Sequence, residues 1–200
     1  RFKGLKKMIS QRSSLVHWNY FLALEQNVES LSRYVELNLN NFKTYSMEMA
    51  HLLLAASSEV DVVMKSLCKL LEPYQDCNNI EDYRNVIGMR VKVFSEESVR
   101  ISRYGLELTP WSQWKYNKSP IWWKNYNKVK HERNNFFQEA NLHNTLNAMA
   151  GLYLCNYYYY MNLLSIEYKQ DFGDKQVLAN LNPRSSLFHL GRQIISAHRL

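Results

Sequence analysis

The chain has 200 residues, 46% hydrophobic and 22% charged, a composition that can build a packed core and excludes wholesale disorder. Six glycines and four prolines are few for a turn-rich sandwich or barrel and favour long helices. A formal charge of +7 and an aromatic content of 14% admit a polyanionic partner.

Trp18, Phe21, Leu24, Val28, Leu31, Val35 and Leu39 step by three or four and predict a first helix over residues 13–39. Glu25, Glu29, Arg33 and Glu36 fall on its other side, and the polar residues 38–41 suit a helix–helix turn. A second helix is expected over 44–72, capped by Thr44 or Ser46 and ended by Pro73. Its stripe of Met49, Leu53, Ala56, Val60, Val63, Leu67 and Leu71 is widened by Leu52, Leu54, Val62 and Met64, as in a central helix.

Residues 74–119 change character and read as an insertion. Asn78 and Asn79 can cap a short helix over 80–87. The alternating runs 89–94 and 99–108 read as a hairpin across 95–98, with a helix through Glu96 and Glu97 as the alternative. A tryptophan- and lysine-rich loop follows. Ser119-Pro120 then starts a helical stretch over 120–168, with a break near 133–135. Residues 169–200 look irregular apart from a short helix over 190–198. The expected fold is therefore mainly α: one domain over 1–200, an up-down bundle of about four long helices with a small β-hairpin insertion.

Three cysteines, Cys68, Cys77 and Cys155, have no CxxC spacing, which fits a reducing cytoplasm and neither a disulfide framework nor a zinc site. No metal or cofactor is expected. The basic opening 1–12 has no apolar run after it, so no secretory signal is expected there. The apolar stretch 146–164 carries Asn147, Asn156 and Asn162, and so reads as a buried helix and not a membrane span. No membrane partner is expected.

The most distinctive segment is 111–134. It holds four of the five tryptophans, and its six cations against one acid give it a net +5. Aromatics interleaved with cations suit single-stranded nucleic acid. Here Trp122, Trp123 and Tyr126 would stack on bases while Lys124, Lys128 and Lys130 hold phosphates. Asn127, His131, Asn134, Gln138, Asn141 and Thr145 continue as a neutral polar stripe if one helix carries them all. His131 can act as acid or base near neutral pH, and Arg133 can stabilise developing phosphate charge. Glu59, in an apolar helix, needs a cationic partner; pairing with Lys130 or Arg133 would orient His131. A weaker second candidate is Arg192 with His198. No glycine-rich phosphate loop, HExxH, GxSxG or EF-hand pattern occurs.

Ser58-Glu59-Val60-Asp61 with Lys65, then Tyr126-Asn127 with Lys130-His131-x-Arg133, then Ala140-x-Leu142 with Ala148-x-Ala150-Gly151-Leu152, resemble bacterial helical proteins of the HEPN superfamily. The resemblance covers residues 13–72 and 120–168. It implies a bundle of about four helices, often dimeric, found in RNA-cleaving toxins, phage-defence proteins and their inactive relatives. The superfamily's ribonucleases carry an Arg and a polar residue followed, after four to six positions, by a His. His131 lacks that upstream arginine, whereas Arg192-Gln193 to His198 has a suitable spacing but lies in the tail. Carried over by position are Asn127, His131 and Arg133 as catalytic candidates, with Lys130 as a phosphate contact.

Two function classes follow. One is an RNA-directed protein, a metal-independent endoribonuclease, in which Asn127 orients His131 or the substrate. It requires His131 and Arg133 to face a solvent-accessible groove. The other is a non-catalytic module that binds a protein partner or a second copy. It requires an apolar surface around Trp111, Trp114, Trp122 and Trp123.

Overall fold

The computed structural model describes residues 14–192. The fold is mainly helical with a small three-stranded antiparallel sheet. The basic residues 1–12, part of the predicted helix 190–198 and His198 lie outside the described residues.

Helix α1 spans Val16–Leu31 and buries Trp18, Phe21, Leu24, Val28 and Leu31. It stops eight residues short of the predicted end. Ser30 and Ser32 turn their hydroxyls onto the carbonyls of Gln26 and Glu29, and Leu37, rather than the exposed Leu39, enters the core. Glu25 departs from the expected outer face. It is 3% exposed, and its carboxylate accepts from the Ser185 hydroxyl and from the Ser186 and Leu187 backbone N–H groups. These donors, from the far end of the chain, satisfy a charge that burial would otherwise penalise.

Helix α2 spans Met47–Leu71. Ser46 caps it, its hydroxyl accepting from Met49 N at 3.1 Å. Such a cap contributes about 1 kcal/mol. The predicted stripe is buried from Met49 to Leu67, and Val62 alone of the widening residues is exposed. Helix α3, Ile80–Arg90, is capped by Asn79, whose side-chain oxygen accepts from Glu81 N and Asp82 N. It runs past Ile87 and absorbs the start of the first predicted strand, because Arg90 reaches back to an ion pair with Glu72. Residues 91–93 form a turn, and a 3-10 turn over Phe94–Glu96 follows and buries Phe94.

The hairpin lies wholly inside the second alternating run. Strand β1, Val99–Ile101, pairs with β2, Leu106–Leu108, through a 3-10 turn over Ser102–Tyr104 that Gly105 caps at φ +63°. Residues 112–116 form another 3-10 turn.

Helix α4 spans Ile121–Phe136; Pro120 occupies its cap position, and no side chain caps it, contrary to the role expected of Ser119. Helix α5, Leu142–Tyr168, is capped by Asn141, whose side-chain oxygen accepts from Asn144 N at 3.0 Å. It is the central element, buried almost all round from Leu142 to Tyr158, and packs chiefly along α2. Asn147, Asn156 and Asn162 each donate to the carbonyl four residues back, which gives each amide nitrogen a partner in this apolar setting. No described helix is long and apolar enough to cross a membrane.

The tail is more regular than expected. Helix α6 spans Asp174–Asn180, and strand β3, Phe188–Leu190, pairs antiparallel with β1, giving the sheet order β2-β1-β3. The tail is pressed close: a Cβ on Gly191 would lie 1.8 Å from the Ser98 hydroxyl oxygen.

Candidate nucleic-acid interface

Segment 111–134 divides by chemistry. Trp111, Trp114, Trp122 and Trp123 are 0%, 5%, 2% and 8% exposed, and Tyr126 is 5% exposed. Trp111 packs against Phe94, Trp114 and Trp122, while the Trp122 indole N–H donates to the Pro110 carbonyl at 2.8 Å. Gly151 of α5 makes room: a Cβ there would sit 3.1 Å from the Trp122 ring. The proposed base-stacking role of Trp122, Trp123 and Tyr126 is therefore corrected. Burying rings of this size in the core stabilises the fold and leaves no open faces for bases. The same burial removes the apolar surface that the tryptophans were to offer a protein partner.

The cations of α4 point the other way. Lys124, Lys128, Lys130 and Arg133 are exposed. Among the described residues none of them lies within ion-pairing distance of a carboxylate. Lys128 Nζ sits 5.4 Å from the Phe136 ring centroid and Lys130 Nζ 5.6 Å from that of Tyr126. These contacts hold the stems down and leave the ammonium groups in solvent.

His131 is also exposed, one residue before a break in the helix. Glu132 has φ −139° and ψ 48°, outside the helical region. The predicted break near 133–135 is thus a kink at Glu132, followed by a 3-10 turn over Phe137–Glu139. The kink opens a groove of about 560 Å³ lined by Lys130, His131, Glu132, Arg133, Asn134 and Asn135, with Leu54 and Val129 as its apolar side. His131 and Arg133 both face this solvent-accessible groove. The expected stripe does not continue beyond it. Asn141 caps α5, and Thr145 is buried, its hydroxyl donating to the Met49 carbonyl.

Asn127 stands one turn before His131, but its amide donates to the Trp123 carbonyl at 3.1 Å. It lines a neighbouring hollow of about 400 Å³ between α2, the start of α3 and α4, which meets the first groove at Lys130. The pairing of Glu59 is corrected too. Its carboxylate meets His17 Nδ1 at 2.7 Å, tying α2 to α1, and reaches neither Lys130 nor Arg133.

Arg192 belongs to a different setting. It pairs with Glu97 at 2.5 Å and with Asp174 at 3.0 Å. Tyr158 donates to Glu97 and Tyr157 to Asp174. Burial, then these bonds to carboxylates, push both phenols far above their ordinary value. The cluster ties the tail to α5, α6 and the turn before β1.

Sequence reasoning missed Asp61 as a site residue. It shares the second hollow with Asn127 and Lys130. The spacing Ser58-Glu59-x-Asp61 was the available signal: Asp61 lies on the helix face towards α3 and α4, whereas Glu59 faces α1. No group of three or more described His, Cys, Asp or Glu residues is placed to hold a metal ion.

No protein-family model, curated protein or solved structure matches this chain.

Proposed function

We propose that this chain is an RNA-directed protein of HEPN type, built on a four-helix bundle, and that it cleaves RNA without a metal. The observation that carries the reading is His131: a solvent-accessible imidazole at a helix kink, in one groove with Arg133 and Lys130. In this mechanism His131 takes the proton of a ribose 2′-hydroxyl, whose oxygen attacks the adjacent phosphorus. Arg133 and Lys130 stabilise the charge that builds on the phosphoryl oxygens. The 5′-oxygen leaves, taking a proton from water to become a 5′-hydroxyl while His131 returns its proton to solvent, and a 2′,3′-cyclic phosphate remains. Lys124 and Lys128 extend the cationic face along α4 and hold flanking phosphates. Asn127 contacts the substrate from the adjoining hollow, since its amide is engaged with Trp123 and not with His131.

The test is incubation of the purified protein with mixed RNA, with and without a chelator, beside His131→Ala. Cleavage should be insensitive to the chelator and fall about 100-fold or more in the variant. Cleavage that needs a divalent cation, or that survives in His131→Ala, overturns the mechanism. Absence of both cleavage and binding overturns the RNA reading.

A further inference from the structure

The hollow beside the His131 groove has its own chemistry. Its walls carry Ser58 and Asp61 from α2, Asn78 from the turn before α3, and Asn127 and Lys130 from α4; the edges of Trp123 and Tyr126 form an apolar floor. At about 400 Å³ it falls within the ordinary range of small-ligand sites, about 300–1,000 Å³. Asp61 is the fixed point. One carboxylate oxygen accepts from the Tyr83 hydroxyl at 2.7 Å and the other from Lys65 Nζ at 2.8 Å. These two bonds set the orientation of the carboxylate. Each oxygen keeps a second acceptor position, and the side chain is 32% exposed. Lys130 supplies a cation on the opposite wall, and Asn127 keeps its side-chain carbonyl unengaged.

A pair of parallel acceptors facing a cationic donor selects among the nucleobases. Guanine alone presents two adjacent donors, N1–H and the N2 amino group, on its pairing edge, and acceptors at O6 and N7 beyond them. Adenine places an unprotonated N1 where a carboxylate would repel it. Uracil offers a single N–H between two carbonyls, and cytosine one amino group beside an acceptor.

We propose that this hollow is a guanine-binding site, in which Asp61 accepts from N1–H and the N2 amino group while the Asn78 side-chain amide donates to O6 or N7, leaving Lys130 at the junction for the phosphate. The base is that of a guanosine in single-stranded RNA, with its phosphate at the point where the hollow meets the His131 groove. The polymeric form rests on the RNA reading above; the base selectivity does not. Trp123 lines the site, so a change in the protein's tryptophan fluorescence reports occupancy.

The experiment titrates the wild-type protein with 5′-GMP and 5′-AMP. It then titrates a His131→Ala background, which blocks cleavage, with short oligouridylates carrying one central G or A. GMP should bind about tenfold or more tightly than AMP, and the G-containing strand should exceed the A-containing strand by a similar factor. Asp61→Asn, which exchanges one acceptor for a donor, should abolish the preference. Circular dichroism checks its fold, and the wild-type comparison stands without it. Equal binding of GMP and AMP with both strands bound alike overturns the guanine site and leaves the RNA reading standing. A preference for GMP with neither strand bound supports the site as one for a mononucleotide and overturns the RNA reading. No binding by any probe overturns both.

Discussion

Arg133 and Arg192 each lie within three residues of a histidine in sequence, and the structure uses them in opposite ways. Arg192 spends its guanidinium on Glu97 and Asp174, with Tyr157 and Tyr158 closing the cluster. Arg133 stands in an open groove with His131 and Lys130, and no described carboxylate pairs with it. An arginine with its charge already matched contributes to folding, whereas one left in solvent beside an imidazole is available to an anion. Composition and spacing do not separate the two cases; the acids brought from elsewhere in the chain do.

The largest effect that sharpens this contrast is expected at high pH. Burial, and then bonds to Asp174 and Glu97, raise the folded-state values of Tyr157 and Tyr158, and burial pushes Tyr160 up to about 12. Their contribution is therefore complete below the unfolded value, about 10, and is lost as pH climbs from there towards the folded values. Beyond the rise from exposed tyrosines such as Tyr34 and Tyr74, a further rise in phenolate absorbance should coincide with loss of the helical circular dichroism signal. Ionisation of these tyrosines in a still-folded protein would break the picture of a closed cluster.

Next comes Arg192→Ala, which leaves Glu97, 6% exposed, with the Tyr158 hydroxyl but no cation. The cost should be about 2 kcal/mol, below the roughly 3–5 of a fully buried pair because Arg192 is itself partly exposed. Denaturant unfolding measures it, and RNA cleavage by the folded variant should be unchanged. The smallest effect belongs to Lys128→Ala. Affinity for single-stranded RNA should fall by less than about 1 kcal/mol, and the slope of log affinity against log salt should flatten by about 0.7. A steeper loss of stability than of binding would place Lys128 with Arg192 and not with Arg133.

Local signals were readable in the sequence. The Ser46 and Asn79 caps, the end of α2 at Pro73 and the interruption of the 120–168 stretch all rest on residues within a few positions of one another. The misses are long-range. Strand β3 was invisible because its partner, β1, lies some ninety residues earlier. Glu25 looked like an outer-face acid because the donors that let it be buried are residues 185–187. The site was half legible. The concentration of cations near His131 survived as an exposed face. The tryptophans beside them looked like ligands for bases, but the neighbouring Phe94 and Gly151 turn them into core. Asp61 went unselected because its partner Tyr83 enters from another helix.

The capture of residues 185–190 has a consequence for the life of the chain on the ribosome. Until that segment emerges, the Glu25 carboxylate lacks its donors and β1 keeps one bare edge, open to pairing with any extended chain. A product cut short before Ser185 would carry both defects at once. It would be a poorly stable and adhesive species for proteases and chaperones to remove, and so a lasting product depends on translation passing residues 185–190.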